Sequence, residues 1–127
     1  MKENISNGEW KLMKPLWENG EMTVTQLVQA LKDDTGWNKN TIFTMLKRLE
    51  EKGFVKLADE KRPQRYVPAV SREEATVLAT DSFVDRVFDG DMRLLVSAIS
   101  GSSSLTQKEI DELRAILDEA EKAVKEN

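Results

Sequence analysis

One local signal occurs four times in this chain. Ser6–Glu9, Thr23–Gln26, Ser71–Glu74 and Thr106–Glu109 each place a hydroxyl three residues before a Glu or Gln. In a capping box the hydroxyl accepts from an orphan amide of the first helical turn. The Glu or Gln reaches back to the N–H of the cap itself. Each pair precedes an apolar run at helical spacing, so the chain is committed to helix at four points before any tertiary packing is considered.

The first helix is predicted from about Asn7 to Glu18. Trp10, Met13 and Trp17 share its stripe, Leu12 and Leu16 widen it, and Asn19-Gly20 ends it. The second starts after Thr23 with Val24, Leu27, Val28 and Leu31 inward, and Asp33-Asp34-Thr35-Gly36 breaks it. A third starts near Asn38 and stops at Gly53, with Ile42, Met45, Leu46 and Leu49 as its buried stripe. Phe54 to Ala58 then reads as a strand, Asp59 to Gln64 as a turn, and Arg65 to Pro68 as the return strand of a short two-stranded hairpin. Pro68 cannot donate to a ladder, so that strand ends there or lies on an edge.

The rest is helical again. One helix runs from Ser71 to about Asp89, Gly90 interrupts, and a short helix covers Met92 to Ile99. Ser100 to Ser104 reads as a flexible break, and a last helix follows Thr106. Its apolar positions Ile110, Leu113, Leu117, Ala120 and Val124 form a narrow seam. The expected architecture is mainly α: a winged helix-turn-helix domain with a small β-hairpin wing over residues 1–70, and a helical dimerisation arm over 71–127.

Composition excludes whole classes of chemistry. The 127 residues contain no Cys and no His. Thiol catalysis, a disulfide framework, a Ser-His pair and the usual zinc ligand sets are therefore ruled out, and no metal or cofactor is expected. Adjacent carboxylates such as Glu73-Glu74 point to different sides of a helix and do not converge on a substrate. The expectation is a non-enzyme. No run approaches a membrane span, and Met1 to Gly8 lack the apolar stretch of a signal peptide, so a cytoplasmic location is expected.

Charge is divided unevenly. Residues 1–70 carry 12 Lys/Arg against 10 Asp/Glu, whereas residues 71–127 carry 7 against 13. Eight cations fall between Lys39 and Arg65. A basic segment in an acidic chain can engage a polyanion locally while the remainder repels it.

Three helices followed by a basic hairpin is the order of a winged helix-turn-helix. With Ile42 inward, Asn40, Thr44 and Lys47 fall on the opposite side of the third helix, and Thr41 and Arg48 flank them. Amides and hydroxyls reach base edges, and cations meet phosphates or guanine. Asn38, Lys39, Asn40, Thr41, Thr44, Lys47 and Arg48 are therefore the candidate groove contacts. Lys61, Arg62 and Arg65, at the hairpin tip and its return, are candidates for the flanking phosphates or minor groove. Glu51 shares the outward face and repels phosphate, which limits entry to the first half of the helix. The same pattern also suits a winged-helix protein-interaction module that binds no DNA.

Ile5-Ser6…Glu9-Trp10…Met13…Leu16-Trp17, Gly36-Trp37, Thr41…Thr44…Arg48-Leu49, Lys52-Gly53, Tyr66…Pro68 and Ser82-Phe83…Phe88-Asp89-Gly90 together resemble the penicillinase-repressor family. That family comprises the BlaI and MecI repressors and a copper-responsive CopY branch. The resemblance runs from about Ile5 to Leu117. It implies a homodimeric repressor on a dyad-symmetric operator in double-stranded DNA, controlling resistance or stress-response genes and released by an inducing signal or proteolysis. It places Thr41, Thr44 and Arg48 in the recognition helix. Lys47 and Phe43 stand where the family varies or often has a cation, so Phe43 is a departure.

Two further departures concern release. The β-lactam branch is cut by a membrane sensor peptidase at an Asn-Phe bond, and this sequence contains none. The copper branch uses a cysteine cluster, and with no Cys or His this sequence has no ligands for soft-metal sensing of that kind. The seam of the last helix, with Leu78, Val84, Val87, Phe88, Leu94 and Leu95, is expected to bury a shared core with a second copy. Packing against the chain's own head is the alternative.

Overall fold

The computed structural model describes residues 4–102 and 104–126. Its elements in order are α1 (Asn7–Asn19), β1 (Met22–Thr23), α2 (Val24–Ala30), α3 (Lys39–Lys52), β2 (Val55–Leu57), β3 (Arg65–Pro68), α4 (Arg72–Phe88), α5 (Met92–Ser102) and α6 (Gln107–Lys125). The chain is mainly helical with a small antiparallel sheet.

All four capping boxes form. Ser6, Thr23 and Thr106 each accept from the amide three residues on, and each donates its own backbone N–H to the side-chain oxygen of Glu9, Gln26 or Glu109 in turn. At the fourth, Glu74 N donates to Ser71 Oγ at 3.0 Å and Ser71 N to the Glu74 carboxylate at 3.4 Å. Gly53 closes α3 at φ 87°, a left-handed conformation that a side chain strains.

The sheet differs from the expected hairpin. It has three strands in the order β1-β3-β2, so the return strand is central. Met22 pairs with Tyr66 on one side of β3, and Leu57 pairs with Tyr66 on the other. A two-residue strand leaves no alternation to detect. Thr23 also caps α2, so the same residues pair with the sheet and start the helix.

Helix α5 also departs from expectation. It continues through Gly101 to Ser102, where the serine-rich composition suggested a break from Ser100. Ser100 Oγ donates to Val96 O at 3.0 Å, inside the helix's own hydrogen-bond network. The expected break therefore reduces to the stretch before Thr106, and Ser103 lies outside the described residues.

Two compact units result, Met1–Phe83 and Val84–Asn127. The division falls inside α4, later than the expected boundary at 70/71. In the first unit Val70 and Ala75 join the same buried cluster as Leu12, Leu27 and Leu46. Trp17 Nε1 donates to Val70 O at 3.0 Å, and the Arg72 guanidinium lies 5.8 Å from the Trp17 ring centroid. Trp10 meets Trp17 edge to face at 5.4 Å. The two tryptophans of α1 thus pack within the head, as the stripe predicted. In the second unit α6 has no buried residue.

Candidate nucleic-acid interface

Helix α3 is strongly two-sided. Ile42, Leu46 and Leu49 are all 0% exposed, and they anchor the helix in the core. On the opposite side Asn40, Thr44, Lys47 and Arg48 are exposed, with Lys39 exposed in the first turn and Thr41 half-buried. Gly8 of α1 keeps this packing tight, because a Cβ there would stand 3.0 Å from the Met45 side chain. The sequence fixes the helix start as well. Asn38 is the N-cap, and its Oδ1 accepts from Thr41 N at 2.9 Å. That bond commits the Asn38 oxygen and leaves its amide NH₂ as a donor. Thr44 Oγ1 donates to Asn40 O at 2.9 Å, which leaves the hydroxyl oxygen's lone pairs facing outward.

The cations are not equally available. Arg48, Lys39, Lys61 and Arg62 are exposed and have no ion-pair partner among the described residues. Lys47 is engaged: its ammonium is 3.0 Å from Glu50 Oε1 and 5.7 Å from the Phe43 ring centroid. The Glu50 hydrogen bond, then the Glu50 charge, hold Lys47 above the usual lysine pKa. Lys47 therefore stays cationic, but it must exchange a carboxylate for a phosphate when it binds an anion.

Arg65 is placed differently from Lys61 and Arg62. It is half-buried, with Nη2 2.9 Å from Asp59 Oδ2 and Nε 3.2 Å from Glu21 Oε1. Asp59 also accepts from Lys61 N at 2.9 Å. The guanidinium thus ties the base of the wing to the turn before β1, and two carboxylates occupy the charge expected to meet phosphate. Glu21 and Asp59 lie far from each other in sequence, so spacing alone did not reveal them as its partners.

Tyr66 sits beneath this surface on the central strand. It is fully buried, and its hydroxyl has no hydrogen-bond partner among the described residues. Burial pushes its pKa up, Lys47 works against the shift, and Glu50 adds to it.

The arm residues are mostly open. Leu78, Val87, Leu94, Leu113, Leu117, Ala120 and Val124 are exposed, and Phe88, Leu95 and Ile110 are half-buried. Val84 is the exception. It is buried within its own chain and so is not free to enter a seam with another. Ile116, Phe83, Met92, Val96 and Ile99 are further exposed apolar residues that the seam periodicity did not select.

The penicillinase repressor family matches residues 5–119. The chain belongs to the penicillinase repressor family. It is 30% identical over 122 residues to the penicillinase repressor of Bacillus licheniformis, covering 96% of this chain and 95% of that one. It is 27% identical to the methicillin resistance regulatory protein MecI of Staphylococcus aureus, covering 89% and 92%.

Among solved structures it resembles the DNA-binding domain of the repressor BlaI, with 29% identity and a TM-score of 0.50 over 58% of this chain and 93% of that one. The Bacillus licheniformis BlaI monomeric form, solved in complex with the blaP half-operator, has a TM-score of 0.50 at 28% identity, covering 58% and 90%. The family is one of repressors, not of enzymes. No described helix is long and apolar enough to cross a membrane.

Sequence reasoning passed over Glu50 as a partner of Lys47, and it marked Phe43 only as a departure from the family. Both stand on α3 beside Lys47. Glu50 was open to detection, since a carboxylate three residues from a lysine on one helix is a standard pair.

Proposed function

We propose that this chain is a transcriptional repressor that inserts the first half of α3 into the major groove of operator DNA. The observation that carries the reading is the outward row Asn40, Thr44, Lys47 and Arg48 on a helix whose reverse side is anchored in the core by the fully buried Ile42, Leu46 and Leu49. Hydrogen-bonding groups on that row reach base edges, and Arg48 and Lys39 neutralise phosphates on either side. Asn38 and Thr41 contribute at the helix start. Lys61 and Arg62 of the wing add backbone contacts, and Arg65 acts chiefly as the brace of that wing. The match to BlaI, which was solved in complex with a half-operator, supports DNA as the partner.

The functional division is a DNA-binding head over residues 1–70 and a dimerisation arm over 71–127. Two arms bury the exposed faces of α4, α5 and α6 against each other, through Leu78, Val87, Phe88, Leu94, Leu95, Ile110, Leu113, Leu117, Ala120 and Val124. Two identical heads then read two half-sites of a dyad-symmetric operator, and the second contact gains from effective concentration. The protein acts in the cytoplasm on resistance or stress-response genes. Release follows when an inducing ligand, or cutting by a membrane sensor peptidase, separates the arms.

The test is footprinting on the DNA that flanks the protein's own coding region, followed by a salt titration of the protected duplex. The expected outcome is a twofold-symmetric footprint and an affinity that falls with salt at a log–log slope near −0.9 per neutralised phosphate. A protein-interaction module protects no DNA and shows no such slope.

A further inference from the structure

We propose that Phe43 reads thymine: its ring meets the 5-methyl group of one thymine per half-site in the major groove. The inference rests on the DNA-binding reading above and adds a base preference to it. Phe43 is 41% exposed on a helix whose branched aliphatic residues, Ile42, Leu46 and Leu49, are completely buried. The core position beside it is already filled by Ile42, so the ring has no place inside. The exposed part of the ring gains no burial in the free protein.

At the helical rotation of about 100° per residue, Phe43 lies on the flank of the outward face next to Lys47. Asn40, Phe43 and Lys47 follow one another at i, i+3 and i+7 along one row. The Lys47 ammonium, 5.7 Å from the ring centroid, borders the ring on one side. Among the groups that base pairs present in the major groove, the apolar one is the thymine methyl. Asn40 and Lys47 are polar and satisfy donors, acceptors and phosphates, which leaves the methyl as the partner that suits Phe43.

The test uses the full chain and a duplex enriched by the wild-type protein from a random-sequence pool. Each thymine is replaced in turn by deoxyuridine, which removes the methyl and preserves pairing. Wild type loses roughly four-fold in affinity at one thymine per half-site, the equivalent of one unburied methyl group. Phe43→Ala binds the thymine and deoxyuridine duplexes equally.

The proposal is overturned if wild type is indifferent to every deoxyuridine. It is equally overturned if the same penalty persists in Phe43→Ala, since another residue then reads the methyl. Failure of wild type to enrich any duplex removes the DNA-binding reading and this one together. Enrichment with a persistent penalty removes this one alone.

Discussion

Glu9 Oε1 lies 2.6 Å from Lys52 Nζ, and Glu9 is only 2% exposed. The contact ties the start of α1 to the last residue of α3 across 43 positions of sequence. Glu9 also receives Ser6 N at 2.9 Å as the returning half of the capping box, so one carboxylate serves helix initiation and tertiary packing together. Lys52 adds a bond to Asn4 O at 2.9 Å. Burial works against the Glu9 charge. The Lys52 hydrogen bond, the Ser6 amide and the Lys52 charge outweigh it and hold the pKa below the ordinary value.

Lys52→Met leaves that carboxylate buried without its cation, and the loss expected is about 3 kcal/mol. Urea unfolding at neutral pH measures it. The pH dependence follows from the direction of the shift. A lowered folded pKa means that stability is present above the unfolded value of 4.5 and is lost as pH falls through the folded value. Wild type therefore loses this contribution on acidification below that point. In Lys52→Met the slope there is reduced or reversed.

Glu50→Gln frees the Lys47 ammonium from its carboxylate and removes a negative charge beside the groove-facing row. The variant is expected to bind operator duplex a few-fold more tightly at low salt, the modest gain of freeing one exposed cation. The difference shrinks as salt rises. Fluorescence anisotropy at two salt concentrations checks both statements.

Tyr66→Phe removes a buried hydroxyl that has no partner among the described residues. The expected effect is a gain of about 1 kcal/mol in folding stability at neutral pH. Tyr66 is the one tyrosine in the sequence, so tyrosinate absorbance reports it without ambiguity. Its pKa is raised above 10.0 by burial, so the folded state favours the neutral phenol. Wild type accordingly loses stability as pH rises above the unfolded value, and Tyr66→Phe does not show this loss.

Leu113→Glu with Leu117→Glu tests the arm. Both residues lie on the exposed seam of α6, with Leu117 64% exposed. Losing two buried leucines per chain from a shared core weakens association by at least about 3 kcal/mol, more than a hundred-fold. Sedimentation should show monomers, with the head's circular dichroism retained.

Local rules carried most of the fold. The caps Ser6, Thr23, Ser71 and Thr106, the stops Gly20 and Gly53, and the stripe of α3 are settled by neighbours a few residues away; all are present, except that Met45 of the expected stripe is only half-buried beside Ile42, Leu46 and Leu49. Contacts between distant residues were not legible. Nothing in the spacing of Glu21, Asp59 and Arg65 announces that two carboxylates share one guanidinium, and nothing pairs Glu9 with Lys52. Two residues of β1 are too few for a period, and the serine-rich end of α5 follows its helix rather than its composition. The outward face of α3 was readable because it is the complement of a buried stripe. Which of the expected cations are free was not, because Lys47 depends on Glu50, and Arg65 of β3 depends on Asp59 and Glu21.

The central claim is that the outward face of α3 is the surface that holds DNA. The most direct measurement is operator-duplex binding by full-length Lys47→Glu with Arg48→Glu, followed by anisotropy, with sedimentation and circular dichroism on the same sample. Both side chains are exposed, so the fold and the oligomeric state should match wild type. Duplex binding should fall by at least a hundred-fold, as expected for reversing two cations that face phosphate. Binding equal to wild type in a folded double variant would contradict the account.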